Sequence, residues 1–185
     1  MATQFPRLIE TDRLRIELYT AEQIETVVPE LVRANLEYLA EWMPWAAPDV
    51  FETTDYAEIA VDWLAQAQAG TSFNYGIWVK DGDEKPVGTI GIHHRNDQPP
   101  ESLEIGYWLV EDAQGHGYMT EAAAALTAAA FGNRHIEKVE IACEPGNEKS
   151  EAIPKRLDFS KADMRVNHDN LNVRIWEMER QTYSR

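Results

Sequence analysis

Residues 114–120 read QGHGYMT and stand directly before an alanine-rich run that predicts a helix. The first N–H groups of a helix have no intrahelical partner, and the helix macrodipole adds partial positive charge there. Gly115 and Gly117 carry no Cβ that would block the approach of an anion. The segment therefore predicts a phosphate-binding turn that works through main-chain donors and needs no cationic side chain. The alternative is a plain strand-to-helix turn in which glycine is only convenient.

Two better-known phosphate loops do not fit this segment. A P-loop ends in Gly-Lys-Ser/Thr, whereas Tyr118 follows Gly117 here. The dinucleotide-binding fingerprint needs a third glycine three residues after the second, and that position is Thr120. The helix behind the turn has one apolar face of small residues at helical spacing, which predicts close packing on a sheet. That face comprises Met119, Ala122, Ala123, Leu126, Ala129 and Ala130.

The net charge of the chain limits the kinds of partner that it is expected to bind. Thirty-two acidic residues against 17 basic ones give a formal net charge of −15, so a nucleic acid would be repelled, and no basic cluster offers it a footprint. The acidity suits a cationic substrate such as an amine, and it also favours solubility. No apolar run of about 18 residues predicts a membrane span. We therefore expect neither a nucleic acid nor a membrane as partner.

The numbers of cysteines and histidines indicate in which cellular compartment the protein works and whether it binds a metal. Cys143 is the only cysteine, which excludes an intrachain disulfide and fits a reducing cytoplasm. The start of the chain has no basic region followed by an apolar run, so no secretory signal is expected. Five scattered histidines give no zinc spacing, and we expect no metal.

The elements that must position the turn follow from hydrophobic periodicity. Alternating apolar residues predict strands over 13–19, 73–80, 86–94, 102–110 and 138–143, with two more near 161–166 and 172–178. Helical spacing predicts helices over about 21–38, 54–69 and 118–131, and a short one within 147–157. Thr20 and Gln23 form a predicted capping box at the first helix. The 185 residues contain no linker or repeat, which predicts one α+β domain over 1–185 with one mixed sheet.

The glycine turn and five further stretches, one of which overlaps it, give the chain a family resemblance. Residues 114–119 resemble the Q/R-x-x-G-x-G/A acetyl-CoA loop of the GNAT N-acetyltransferases. The other stretches resemble the branch of that family that acetylates ribosomal-protein N-termini. They are ETDRL at 10–14, EWMPW at 41–45, EIGYWL at 104–109, GYMTEA at 117–122 and NEKS at 147–150. The likeness covers about residues 7–159 and implies a mixed, mostly antiparallel sheet with helices on both faces.

The resemblance also implies roles for individual residues. Main-chain groups around the turn would hold the pyrophosphate of acetyl-CoA; its residues are Gln114, Gly115, His116, Gly117, Tyr118, Met119 and Thr120. Main-chain groups of Trp108, Leu109 and Val110 would pair with the pantetheine arm, and Asn147 would hydrogen-bond it. Ser150 would protonate the leaving thiolate, and Glu104 would be the base, directly or through a water. Trp42 and Trp45 would line the acceptor pocket.

Each of these residues also has a purely structural alternative. On an alternating strand Glu104 could simply face solvent, and Asn147 and Ser150 could cap the following helix. The two tryptophans could be core aromatics. Pro154 stands where many relatives carry a tyrosine acid, so Ser150 or solvent must serve. Pro154 cannot donate to the carbonyl of Ser150, which leaves that carbonyl free for another donor if the helix already runs there.

The implied activity is acetyl-CoA-dependent transfer to an amine, made directly in a ternary complex. Only a neutral amine attacks a thioester, and an α-amino group with a pKa near 8 loses its proton more easily than a lysine near 10.4. A protein N-terminus of the ribosomal-protein type is therefore the predicted acceptor. A polyamine, aminoglycoside or amino-acid derivative, and a non-catalytic acyl-CoA sensor, are the alternatives. A homodimer is left open by the sequence.

Overall fold

The computed structural model describes residues 4–96, 98–167 and 170–183. Within them the strands are β1 (Leu8–Glu10), β2 (Leu14–Leu18), β3 (Ser72–Val79), β4 (Gly88–His93), β5 (Ser102–Leu109), β6 (Lys138–Cys143), β7 (Ser160–Val166) and β8 (Asn172–Glu179). The α-helices are α1 (Ala21–Ala34), α2 (Leu36–Ala40), α3 (Pro48–Thr53), α4 (Tyr56–Ala69), α5 (Tyr118–Gly132) and α6 (Glu148–Arg156). Short 3₁₀ turns cover Pro44–Ala46 and Glu111–Ala113.

The strands form one sheet in the order β1-β2-β3-β4-β5-β6-β8-β7. In the described residues β5 and β6 are the parallel pair, and the other neighbouring strands run antiparallel. The parallel ladder is short, because it joins Ser102–Ile105 to Lys138–Ile141 and goes no further. Beyond it β5 continues to Leu109 and β6 to Cys143. The sheet therefore opens along the last residues of β5.

Both faces of the sheet are covered, as the resemblance implied. On one face, α5 packs its fully buried Ala122, Ala123 and Leu126 against β-strand side chains such as Ile90 and Ile105. On the other face, side chains from α1, α2 and α4 enclose Trp78 and Trp108. The alternation of strand side chains explains how β5 serves both layers. The apolar face predicted for α5 is confirmed, with Ala129 only half-buried at its edge.

The first predicted helix is wrong in extent. The capping box of Thr20 and Gln23 forms as predicted, but α1 ends at Ala34 and α2 begins at Leu36. Asn35 between them leaves helical geometry, with φ −125° and ψ 14°, and its side-chain amide donates to the carbonyl of Leu31 at 2.9 Å. Such local side-chain bonds compete with helix propagation, which explains the break. The sequence analysis also missed β1 and α3.

Asp158 adopts a left-handed conformation, with φ 58°, directly before the buried Phe159. Glycine usually fills such a position because a Cβ is strained there, although aspartate tolerates it better than most residues. The turn after α6 is kept, and Phe159 enters the core. Among the described residues, no helix has the length and apolarity to cross a membrane.

Candidate functional site

A cavity of about 1050 Å³ lies where β5 and β6 separate. The glycine turn and the start of α5 line one part of it, and α2 with the following connector lines another, with Tyr38 of α2 in hydrogen-bond contact with Gln114 of the turn. The end of β5 and the first turns of α6, with Ser150, also line it. The cavity therefore brings together the predicted phosphate turn, the predicted acceptor wall and Ser150.

The glycine turn has the geometry that its sequence predicted. Gly115 and Gly117 have φ of +79° and +78°, and Gly117 caps α5 without a side-chain hydrogen bond. Only glycine adopts this left-handed geometry without strain. The N–H of Glu121 bonds the carbonyl of Gly117, so the helix ladder begins there. The N–H groups of the first helical residues precede that bond and have no partner within the helix.

Arg13 and Glu121 hold this turn in place through contacts that the sequence analysis did not predict. The Arg13 guanidinium contacts the Glu121 carboxylate at 2.6 Å and donates to the carbonyl of His116 at 2.9 Å. Thr11 and the Arg13 main-chain N–H donate to the same carboxylate at 2.5 and 3.0 Å. The ETDRL and GYMTEA motifs therefore meet in one network that ties the turn to β2. Both motifs can be read from the sequence, but only the fold shows that they contact each other.

Cationic side chains do lie at the turn, although the main-chain argument did not require them. Arg13 and Lys149 both line the cavity. Lys149 donates to the side-chain oxygen of Gln114 at 2.8 Å. Gln114 is therefore engaged through its side chain at the cavity wall, beside the phenol of Tyr38. Main-chain donors and these two cations together favour an anion at this end of the cavity.

At the exposed edge of β5, existing hydrogen bonds show which main-chain groups can face the opening. The N–H of Val110 donates to Val87 and its carbonyl accepts from Ala113, so both groups are engaged. Because successive residues of a strand alternate in the direction of their main-chain groups, those of Leu109 face the other way, toward the opening. Trp108 and Leu109 line the cavity and Val110 does not. Both main-chain groups of Val110 already have a partner, so Leu109 is better placed for the predicted pairing, which stays a prediction.

The first turn of α6 brings two predicted residues, Asn147 and Ser150, together. The Asn147 side chain accepts from the N–H of Ser150 at 3.0 Å and so caps the helix. This leaves the amide NH₂ of Asn147 as its remaining donor. The Ser150 hydroxyl lies 3.2 Å from Cys143 Sγ and 3.5 Å from the Tyr107 hydroxyl. Both Asn147 and Ser150 line the cavity.

Glu104 lies in a buried charge cluster and does not line the cavity. Arg95 and Arg165 contact its two carboxylate oxygens at 2.9 and 3.0 Å. Arg165 also bonds Glu140, the partner of Glu104 across the parallel ladder, at 2.9 Å. The solvent-facing alternative is therefore wrong, because Glu104 is buried. Both carboxylate oxygens of Glu104 are therefore held by guanidinium groups.

The two tryptophans of the connector, Trp42 and Trp45, have different positions relative to the cavity. Trp42 lines the cavity together with Tyr38, Leu39 and Met43. Trp45 is not part of that lining; its ring packs against Trp108 with centroids 6.4 Å apart. Trp42 is therefore placed to meet a ligand, whereas Trp45 is exposed and contacts Trp108 outside the cavity lining. In the described part of the chain, no group of three or more histidine, cysteine, aspartate or glutamate side chains is arranged to hold a metal ion.

Comparison with known proteins gives a consistent result. A family model described as an acetyltransferase (GNAT) domain matches residues 13–160. The Bacillus subtilis protein YdaF, named as a ribosomal N-acetyltransferase, is 30% identical over 148 residues, which are 80% of this chain and 78% of YdaF. The solved structure of RimL, a ribosomal L7/L12 α-N-protein acetyltransferase in complex with coenzyme A, matches with a TM-score of 0.80 at 20% identity. That match covers 95% of this chain and 99% of RimL.

A second solved structure, the ribosomal-protein-S5-alanine acetyltransferase of Vibrio fischeri, also matches with a TM-score of 0.80. Its sequence is 18% identical, and the match covers 96% of this chain and 99% of that one. At these identities the two structures show that the fold is shared along nearly the whole chain.

Glu121→Gln tests the network beneath the glycine turn. Burial raises the pKa of Glu121, but hydrogen bonds from Thr11 and Arg13 and the charge of Arg13 outweigh it, and the pKa lies below its usual value. A lowered pKa stabilises the fold above the unfolded-state pKa of about 4.3, and the contribution is lost as pH falls through the folded-state pKa. We expect the substitution to cost about 1 kcal/mol at pH 7 and less at pH 3.5, by urea unfolding.

Glu17→Gln is the matched control, because its partner Arg15 lies 3.7 Å away and both side chains are largely exposed. That substitution should change the unfolding free energy by less than about 0.5 kcal/mol. An equal cost for both variants, or a cost for Glu121→Gln that does not change between pH 7 and pH 3.5, would contradict the assigned network.

Proposed function

Because the chain belongs to the GNAT acetyltransferase family, we propose that it transfers the acetyl group of acetyl-CoA to a protein N-terminal α-amine. The observation that carries this proposal is the cavity, whose lining combines the glycine turn, an aromatic wall and Ser150. Two substrates that occupy one such cavity can react with each other there. Direct transfer in a ternary complex therefore needs no covalent acetyl-enzyme.

The turn end suits the diphosphate of coenzyme A. Main-chain N–H groups of residues 115–120 would donate to the phosphate oxygens, with the positive end of the α5 dipole behind them. Arg13 and Lys149 add charge at the same end. The pantetheine arm would then run along the opening of the sheet, where Leu109 and the Asn147 amide offer polar groups. The coenzyme A bound to RimL supports this choice of ligand.

The reaction needs a neutral amine, a stabilised oxyanion and a proton for the leaving thiolate. The amine nitrogen attacks the thioester carbonyl, the C–N bond forms and the C–S bond breaks, and the nitrogen releases a proton. The hydroxyl of Ser150 would donate its proton to the departing sulfur and recover one from solvent. Main-chain donors at the end of β5 would stabilise the tetrahedral oxyanion.

The amine is proposed to react as its free base. At pH 7, losing the proton costs about 1.4 kcal/mol for an α-amine with a pKa near 8, and over 4 kcal/mol for a lysine. An N-terminal acceptor therefore needs little help from a base. The ion pairs of Glu104 with Arg95 and Arg165 give the base role no support, and substitution of Glu104 decides whether it is the base.

The acceptor end of the cavity lies on the acidic part of the chain. Residues 21–69, which include α1 to α4, contain ten acidic residues and one arginine. Such a field attracts a cationic acceptor and raises its rate of encounter. The activity in YdaF's name supports a ribosomal protein as the source of that N-terminus. A cytoplasmic location and a homodimer stay predictions.

The acceptor is tested by measuring thiol release from acetyl-CoA with two sets of amines. One set is short peptides with free N-termini and a small first residue, and the other is polyamines, aminoglycosides and amino-acid amides. We expect the peptides to give a kcat/KM at least about tenfold higher, because their α-amines have the lower pKa and offer main-chain groups to the wall. N-terminally blocked peptides that keep an internal lysine are the control and should be inactive.

Faster turnover of a small amine than of any peptide would replace the N-terminal acceptor by a small-molecule one. Tight binding of acetyl-CoA without turnover of any amine would indicate an acyl-CoA sensor instead of an enzyme.

Glu104→Gln and Glu140→Gln together test the predicted base. The two glutamates are both buried, face each other across the ladder and share Arg165. We expect each substitution to cost roughly 1–3 kcal/mol of stability and to leave kcat within about threefold. Loss of kcat in Glu104→Gln alone, with a shifted pH profile and unchanged KM, would instead establish Glu104 as the base.

A further inference from the structure

Tyr107 connects the two walls of the cavity opposite the glycine turn. Its side chain projects from β5, lines the cavity, and donates its hydroxyl to the main-chain carbonyl of Ser150 at 3.0 Å. Ser150 belongs to the first turn of α6, which lies on the other side of the opening between β5 and β6. The hydrogen bond therefore joins the two sides of this opening, between residues 43 apart in the chain.

The carbonyl of Ser150 is available because of Pro154. In an α-helix this carbonyl would accept from the N–H four residues later, and that residue is Pro154, which has no N–H. The helix runs through Pro154 all the same, from Glu148 to Arg156, and Pro154 is buried. A carbonyl without a helical partner costs free energy unless another donor reaches it. The hydroxyl of Tyr107 is that donor.

A third residue helps to orient the Ser150 hydroxyl. Cys143, at the end of β6, has its Sγ 3.2 Å from Ser150 Oγ. Burial raises the pKa of the Cys143 thiol to about 11, so this group is a protonated thiol at neutral pH. An S–H that donates to Ser150 Oγ leaves the serine's own hydrogen available as a donor.

The distances from the Tyr107 hydroxyl to the carbonyl and the hydroxyl of Ser150 argue against a direct role of Tyr107 in proton transfer. Its hydroxyl hydrogen is directed at the Ser150 carbonyl at 3.0 Å. The Ser150 hydroxyl lies 3.5 Å away, at the limit of a hydrogen bond, and there the serine is the donor. The geometry fits a residue that holds Ser150 in place more closely than one that supplies its proton.

We propose that Tyr107 is a positioning residue, and that Pro154 withholds a helical N–H so that the Tyr107 hydroxyl can anchor Ser150 at the reacting end of the cavity. This inference rests on the proposed function, because it assumes that Ser150 protonates the thiolate. It gives Pro154 a role in the place where related enzymes carry a tyrosine. It also explains how a serine at the fraying end of a short helix keeps a fixed place.

Tyr107→Phe removes the anchoring hydroxyl and keeps the ring. We expect kcat to fall about tenfold or more while the KM for acetyl-CoA stays within about twofold, because Ser150 loses its position while the phosphate turn is untouched. Tyr75→Phe is the matched control. The Tyr75 hydroxyl also donates to a main-chain carbonyl at 3.0 Å, that of Pro6, and it does not line the cavity. This control should lose some stability and keep its kcat.

The double variant Tyr107→Phe/Pro154→Ala separates positioning from chemistry. Alanine at 154 restores an N–H for the Ser150 carbonyl, so we expect kcat to recover to within about threefold of the unsubstituted enzyme. If Tyr107→Phe alone fails to fold, the double variant carries the test by itself. An unchanged kcat in Tyr107→Phe, or a folded double variant whose kcat stays about tenfold low, would overturn the positioning role.

Ser150→Ala, measured beside these variants, tells this inference from the proposed function. Loss of turnover in Ser150→Ala together with full turnover in Tyr107→Phe would overturn the positioning role alone. Full turnover in Ser150→Ala would overturn the acid role on which both rest.

Discussion

The proposed acetyl-CoA site depends on donors that point in one direction at the start of α5. The N–H groups there have no helical partners, and two residues in left-handed geometry, Gly115 and Gly117, turn them toward the cavity. Their value comes from being fixed before a ligand arrives, which Arg13 and Glu121 achieve by tying the turn to β2. A chain with a formal charge of −15 repels anions at long range. At short range, the main-chain N–H donors of the turn and the cations Arg13 and Lys149 attract an anion instead.

The opening in the sheet is the second constraint, and it follows from a short ladder. Because the pairing of β5 with β6 ends at Ile105 and Ile141, the last residues of β5 keep main-chain groups for a ligand. Polar groups of α6 come to the opposite side, and the bond from Tyr107 to Ser150 spans the gap. Packing of alanine-rich α5 on one face and of the α1, α2 and α4 layer on the other holds this arrangement open.

Local patterns predicted most elements and the turn, whereas contacts between distant segments were not predictable. The capping box at Thr20 and the packing face of α5 depend on neighbours in sequence, and both formed as expected. The break at Asn35 depends on one side-chain amide and was missed. Glu104 could be assigned a role from resemblance, but its arginine partners come from a loop and from β7, which only the fold brings together. The freed carbonyl at Pro154 was foreseeable, and its donor Tyr107 was not.

Amide chemical shifts measured while coenzyme A is added to ¹⁵N-labelled protein test the central claim most directly, with pantetheine added in a parallel titration. If main-chain donors at the start of α5 hold the diphosphate, the amide signals of residues 115–120 shift on addition of coenzyme A and stay in place with pantetheine, which has no diphosphate. Coenzyme A that binds without moving those signals, or pantetheine that moves them equally, would contradict the account.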